Sequence, residues 1–348
     1  MEAQLEQFIQ QERPNTKSVR IENFQMLAGG YSQETYSADA IIENANGRET
    51  LPLIIRRDPP PEIDILPTNR RLEYLITQRV GEQTTIPVPT AHFLDEKGAT
   101  LERPSMVIQR LSGSADLTPL FQPGNEDEAE AVATEFCERL AELHATSLDT
   151  LDPEGEFRDA RGVGIDSSSW ESYMTSSIEF FMQSYQQIAF DPLPVFYDMY
   201  ASLPNRLPQP VPLAMCHGDY QPSNFLYEDG HITGVIDWEA AHVGDPREDI
   251  GWLYQLSGIT GFDLAGSVKA DGGFLQHYSK LSGIPVTLED VGFFMVFSSA
   301  ALAAPILDAV RRGLDGESQN FLSTYMLQPL VAAQPGYCGI LGYPEAEE

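Results

Sequence analysis

Residues 225–237 constrain the fold of this 348-residue chain more than any other stretch. Two short apolar runs flank Asp229-Gly230, a strong signal for a two-residue turn, so the segment reads as a β-hairpin. On its N-terminal side stands His217-Gly218-Asp219-Tyr220-Gln221-Pro222-Ser223-Asn224, and on its C-terminal side Ile236-Asp237-Trp238-Glu239. A tight hairpin brings Asn224 and Asp237 together despite their separation in sequence. Turn chemistry alone accounts for any one of these polar residues. The ordered set His217, Asp219, Asn224 and Asp237 around one hairpin points instead to a site.

The hairpin is an island because the hydrophobic periodicity changes at Leu111. Before it, the chain reads as strands: Ile21 to Leu27 alternates, Glu34 to Glu43 resumes strand character, and Asn46-Gly47 signals a hairpin into Leu51-Pro52-Leu53-Ile54-Ile55. Ala91 to Asp95 and Met106 to Leu111 are further strand candidates. One helix interrupts them, Arg70 to Val80, with Leu72, Leu75, Ile76 and Val80 at helical spacing and Gly81 expected as its C-cap. After Leu111 helical spacing dominates, over Glu126 to Ser147, Trp170 to Ile188, Pro194 to Ser202, Asp249 to Leu256 and Val291 to Arg312. The expected architecture is α+β with two lobes. Residues 1–111 form an antiparallel β-sheet lobe with one helix, and residues 112–348 a mainly helical lobe containing the hairpin.

An Asp, an Asn five residues later and a second Asp after a hairpin is the spacing that protein kinases use for phosphoryl transfer. In that chemistry Asp219 orients the hydroxyl of the substrate or accepts its proton. Asn224 and Asp237 offer the hard oxygen ligands that suit Mg2+. His217 is assigned a supporting role, bracing the loop through a hydrogen bond. Glu239 either supports the metal site or caps the next turn. Together with Gly244-Asp245-Pro246 and Asp249-Ile250-Gly251-Trp252, these motifs resemble the signature of the aminoglycoside phosphotransferase and choline kinase family, from about Phe24 to Trp252. That resemblance implies a protein-kinase-like fold and phosphorylation of a hydroxyl at the expense of ATP or GTP.

The first lobe supplies matching candidates. Leu27 to Tyr36 resembles the family's phosphate-covering loop, with Gly29, Gly30 and Ser32 as its nucleotide-binding residues. Kinases also carry a cation on a strand, oriented by a helix Glu. Here the strand ends Ile54-Ile55-Arg56-Arg57, so Arg56 stands where kinases usually carry Lys, and Glu73 is its expected partner. Arg56-Arg57-Asp58-Pro59-Pro60-Pro61 is similar to a subgroup of phosphotransferase modules fused to acyl-CoA dehydrogenases. Gln109 and Leu111 lie where the strand leaves the sheet, the expected hinge and adenine edge.

Charge restricts the partners. The formal net charge is -31, with 12 basic against 16 acidic residues in 1–110 but 4 against 24 in 111–246. No basic face remains to replace phosphate counterions, so nucleic acid is excluded as a main partner. The acidic middle suits a cationic acceptor such as an aminoglycoside, whereas the Arg-Arg-Asp-Pro-Pro segment resembles a subgroup linked to hydroxyacyl-CoA substrates. The acceptor therefore reads only as a small hydroxylated metabolite or antibiotic. Cys137, Cys216 and Cys338 lack metal-ligand spacing, and their odd number points to reduced thiols in a cytoplasmic protein. The first residues show no secretory signal, and Val291 to Leu307 reads as a buried core helix, so no membrane partner is expected. A non-catalytic nucleotide-binding pseudokinase or scaffold is the alternative, disfavoured because the base and both metal-ligand candidates are retained. A hydrolase using Asp237 and Glu239 lacks a partner nucleophile.

Overall fold

Alternation of apolar side chains builds the first lobe. Strands β1 (Thr16–Met26), β2 (Glu34–Asn44), β3 (Gly47–Arg57), β4 (Ala91–Asp95) and β5 (Ser105–Gln109) form one antiparallel sheet in the order β1-β2-β3-β5-β4. The β2–β3 register closes on Asn44 opposite Gly47, with Gly47 at φ +130°, a value that favours glycine. Ala38, Ala40 and Ile42 of β2 and Leu53 and Ile55 of β3 are fully buried on one sheet face. This computed structural model describes residues 1–27, 33–60, 69–159, 162–188, 194–317, 327–328, 331–332 and 334–343.

The expected single helix of this lobe is in fact two. Helix α1 (Glu2–Glu12) buries Leu5, Phe8 and Ile9 in the same small core as Ile42, Leu53 and Phe93. Leu5, Phe8 and Ile9 fall at helical spacing but over barely one turn, and so short a helix is marginal alone, so burial against the sheet decides it. Helix α2 (Arg70–Gln83) is N-capped by Asn69, whose side chain accepts from the Leu72 N–H at 3.1 Å. It does not stop at Val80. Gly81 lies inside the helix, where a Cβ would come within 2.9 Å of Val88 Cγ2, so glycine serves close packing there and Thr84 is the cap.

The second lobe packs helices around two small β pairs. Helices α3 (Glu126–Ala145), α4 (Leu148–Leu151), α5 (Trp170–Gln187), α6 (Pro194–Ser202), α7 (Arg247–Thr260), α8 (Phe274–Ser282) and α9 (Leu288–Leu314) surround them, with a further helix over Gln334–Leu341. The hairpin forms as β7 (Phe225–Glu228) and β8 (His231–Val235), and Asp229 and Gly230 both take the left-handed conformation such a turn demands. A second pair, β6 (Ala214–Cys216) with β9 (His242–Gly244), extends the expected single hairpin; three-residue strands carry no readable alternation. The apolar face of α2, Leu72, Ile76 and Val80, is buried in the same core as these helices. Helix α9 continues through Pro305 and is the one described helix long and apolar enough to cross a membrane, but 61% of its most apolar window is buried against its neighbours.

One ion cluster secures the edge where β2 begins and β3 ends. Glu34 accepts from Arg57 at 2.5 and 2.9 Å, pairs with Arg103 at 2.7 Å, and accepts from the Tyr36 hydroxyl at 2.8 Å. Burial alone would raise its carboxyl, but Arg103, Arg57 and Tyr36 together lower it to about 2. Since the folded value lies below the ordinary 4.5, this stability is complete above pH 4.5 and is lost as pH falls toward 2. Glu34→Gln is expected to cost about 1–3 kcal/mol at neutral pH. Urea unfolding followed across that window should find the gap between wild type and variant closing as pH falls.

Candidate active site

Strand alternation aims neighbouring arginines in opposite directions. Arg57 belongs to the Glu34 cluster, whereas Arg56, 8% exposed, reaches across to the second lobe. Its Nη1 lies 3.0 Å from Glu73 Oε1, its Nη2 lies 2.5 Å from Asp237 Oδ1 and 3.4 Å from Glu239 Oε2, and its Nε donates to Gln33 Oε1 at 2.9 Å. Burial opposes the guanidinium charge, but Asp237, Glu73 and Glu239 more than reverse this and keep it firmly protonated. Glu73 is 2% exposed and also binds Arg70, which in turn pairs with Asp58 at 2.5 Å. It is therefore no solvated helix face. A lysine, with one nitrogen, lacks the fork that spans Glu73 and Asp237 together.

The loop after β6 is held from below by Asp249, in the first turn of α7. Both its oxygens accept backbone N–H groups, His217 N at 2.7 Å and Gly218 N at 2.8 Å, and His144 Nε2 lies 3.0 Å away. Burial raises the carboxyl of Asp249, but His144, His217 and these bonds bring it below the ordinary value. Gly218 has φ +81°, and a Cβ there would meet Ala240 O at 2.1 Å, so no other residue fits without displacing the loop. His217 is wholly buried, with Nδ1 accepting from Asp219 N at 3.3 Å and Nε2 lying 3.0 Å from Ile236 O. That pairing calls for the proton on Nε2, and it joins the loop to the segment bearing Asp237. Its role is a brace.

Asp219 sits at the centre of a fan of donors. Trp252 Nε1 donates to Oδ1 at 2.6 Å, Gln221 Nε2 to the same oxygen at 2.7 Å, and Asn224 Nδ2 to Oδ2 at 2.6 Å. Burial first, and then the nearby Asp237 carboxylate, push the Asp219 carboxyl above its ordinary value. The bond from Ile236 N to Asn224 O at 2.9 Å ties the hairpin ends together, and Asp237 leaves it at φ +68°, a strained conformation for a non-glycine residue. Asn224 Oδ1 and Asp237 Oδ2 accept no hydrogen bond among the described residues. Two free hard oxygen donors beside a cluster of carboxylates fit a magnesium ion.

At the end of β5, Gln109 N donates to Thr90 O and Arg110 N to Pro52 O, both at 2.9 Å, while the Leu111 N–H has no partner among the described residues. Leu111 packs over Gly234 of the hairpin, where a Cβ would meet its Cδ1 at 2.5 Å. Gly29, Gly30 and Ser32 lie outside the described residues. Arg56, Glu73, His217, Asp219, Asn224 and Asp237 thus converge, and Gln109 and Leu111 stand at the edge of the sheet. Asp249, Trp252, Gln221 and Gln33 were not singled out in the sequence. Asp249 and Trp252 carried a signal, since both lie in the quoted Asp249-Ile250-Gly251-Trp252. Gln33 and Gln221 likewise lie in quoted stretches, Leu27 to Tyr36 and His217 to Asn224, whose signal rested on other residues. His144, Cys216 and Asp249 lie close enough to hold a metal, yet each is engaged in hydrogen bonds within the fold. A cavity lined by Leu203, Arg206, Phe293 and Ile340 shares none of the converging residues.

Asp249→Ala would orphan two buried backbone N–H groups and His144 at once. A stability loss of about 3–5 kcal/mol is expected in denaturant unfolding. Gly218→Ala should distort the loop without touching any charge. Its signature is loss of the His217 and Gly218 amide protection in hydrogen exchange, with protection of α9 retained.

The chain matches the model of the phosphotransferase enzyme family over residues 24–286, more than half of its length. Acyl-CoA dehydrogenase family member 10 of Mus musculus is 23% identical over 253 residues, covering 68% of this chain, which spans only 22% of that protein. Among solved structures, a Ralstonia eutropha protein assigned as an aminoglycoside phosphotransferase superposes with a TM-score of 0.69 at 18% identity, covering 97% of this chain and 98% of that one. A thermostable mutant of aminoglycoside phosphotransferase APH(4)-Ia, in ternary complex with ADP and hygromycin B, gives 0.63 at 15% identity over 99% of both chains. At these identities the solved structures bear on the fold, which is kinase-like. With the two lobes, the Arg56–Glu73 pair and the loop from His217 to Asn224 in place, the chain belongs to the phosphotransferase enzyme family.

Proposed function

We propose that this protein transfers the γ-phosphoryl group of ATP or GTP to a hydroxyl of a small molecule, with Mg2+. The observation that carries the reading is the convergence of Asp219, Asn224 and Asp237 with the buried Arg56. Asp219 takes the acceptor hydroxyl as a hydrogen-bond donor and receives its proton. Its raised carboxyl suits that task, and Trp252, Gln221 and Asn224 fix its orientation. Arg56, held by Glu73 on one side and Gln33 on the other, presents its guanidinium to the phosphates. The Leu111 N–H and the Gln109 carbonyl bind the base edge of the nucleotide. Asn224 and Asp237 would hold magnesium, which neutralises charge on the phosphates when bound. Catalysis on this reading is mostly positioning and electrostatic stabilisation.

The acceptor is a small hydroxylated metabolite or antibiotic. The acidic second lobe supports a cationic or neutral compound over a polyanion. The Arg56-Arg57-Asp58-Pro59-Pro60 segment, which resembles a subgroup linked to hydroxyacyl-CoA substrates, makes those compounds the second class to screen. The absence of a disulfide at Cys137 and Cys338 supports a cytoplasmic setting.

ATP or GTP with Mg2+ at a hundredfold excess over its dissociation constant is expected to stabilise the chain by about 2.7 kcal/mol, read as a rise in melting temperature. A panel of hydroxyl compounds scored for nucleoside diphosphate release then finds the acceptor. Asp219→Ala should reduce that release by about 100-fold or more while preserving the thermal shift. Equal substrate-stimulated release from wild type and Asp219→Ala would show that Asp219 is not the base.

A further inference from the structure

Helix α7 carries a row of polar side chains that leads away from Asp219. Asp249, Trp252 and Gln255 follow one another at three-residue steps, which makes each the neighbour of the next along the helix surface. The first two hold the loop, Asp249 through the backbone of His217 and Gly218, and Trp252 through the Asp219 carboxylate at 2.6 Å. Gln255 turns instead to α9 and to the helix over Gln334–Leu341. Its Nε2 donates to the Tyr337 hydroxyl at 3.1 Å, and its Oε1 accepts from Ser299 Oγ at 2.9 Å. The Ser299 proton also serves Met295 O at 2.7 Å, and the Tyr337 and Ser299 hydroxyls are in hydrogen-bond contact with each other. Three buried side chains on three helices thus close a ring, in which each donates to one neighbour and accepts from the other.

Such a ring adds little to stability, because replacing matched buried partners by apolar groups of the same shape is nearly neutral. What a satisfied polar ring supplies is a single geometry. Two earlier turns of α7 already press on α9: Arg247 Nη1 lies 3.2 Å from Asp290 Oδ1, and a Cβ on Gly251 would meet Phe294 Cβ at 2.6 Å. The ring continues this contact by one turn and adds the helix over Gln334–Leu341 to it. Trp252 stands between Gly251 and Gln255, so rotation of α7 about its axis would swing the indole N–H off the Asp219 carboxylate. We propose that Tyr337 is a positioning residue for Asp219: through Gln255 and Ser299 it fixes the rotation of α7, and with it the Trp252 N–H that orients the carboxylate. The inference rests on the reading of Asp219 as the base and adds to it a helix that touches none of the converging residues.

Replacing the whole ring in the full chain by apolar side chains, Gln255→Met with Ser299→Ala and Tyr337→Phe, separates positioning from support of the fold. The Trp252 indole N–H, one of three in the chain and assigned by its loss in Trp252→Phe, is followed by 15N NMR. The ring variant is expected to melt near wild type, with the indole proton shifted upfield and exchanging with solvent about tenfold faster or more. For the compound that scores in the hydroxyl panel, kcat should fall about tenfold or more while KM for Mg–ATP or Mg–GTP stays unchanged. Tyr337→Phe alone should move the indole signal in the same direction, and it decides if the triple variant fails to fold. Tyr200→Phe is the control, since it removes another buried tyrosine contact to α9, from the Tyr200 hydroxyl to Ala300 O at 2.8 Å. An equal indole change in Tyr200→Phe overturns the proposal, because the effect is then general loosening of α9. So does a folded ring variant whose indole signal matches wild type, or one whose indole signal moves while kcat does not. A wild-type chain that turns over no panel compound defeats the phosphotransfer reading, and the indole measurement then still decides whether Tyr337 positions Asp219.

Discussion

The pairing of Arg56 with Asp237 and Glu73 is the interaction on which the site depends. It joins a strand, a helix and the segment after the hairpin, elements that come from three separated parts of the chain. Arg56 and Glu73 are nearly desolvated, and removal of either one leaves the other as an uncompensated buried charge. The guanidinium fork makes the three-way contact geometrically specific in a way that an ammonium would not. One side chain thus ties the sheet lobe to the helical lobe, beside the apolar face of α2 that packs into the helical core.

A second constraint acts from beneath. Asp249 accepts two consecutive backbone N–H groups, and these fix the peptide planes of His217 and Gly218 before any side chain of the loop is considered. Gly218 is forced by the closeness of Ala240, and His217 bridges to Ile236. The loop from His217 to Asn224 and the hairpin exit are therefore tied together on the first turn of α7. Trp252, on the same helix, then reaches Asp219 directly, so a single helix sets both the path of the loop and the orientation of its carboxylate.

These two networks explain why so acidic a chain tolerates carboxylates so close together. Asp219 and Asp237 repel, and burial of Asp219 sharpens that repulsion. Arg56 neutralises part of the charge, and backbone and side-chain donors stabilise the rest. Among the described residues the arrangement leaves Asn224 Oδ1 and Asp237 Oδ2 with unused acceptor capacity.

Local patterns determined much of this protein. Asp229-Gly230 specified the hairpin because its two residues accept left-handed conformations. The Asp, Asn and Asp spacing around it marked the loop that the fold gathers into one cluster, and alternation separated the sheet lobe from the helical one. Arg56 was recognisable from its place at a strand end, Glu73 from its helix. What the chain alone did not reveal depends on contacts distant in sequence: α1 needs the sheet to fold on, Gly81 stays in its helix because Val88 packs there, and β6 with β9 is too short to show a period. The direction of each arginine, the anchoring by Asp249, the reach of Trp252 and the ring of Gln255, Ser299 and Tyr337 were decided by tertiary structure. Hydrogen-bond satisfaction is a property of a buried neighbourhood, and no neighbourhood exists until the lobes have packed.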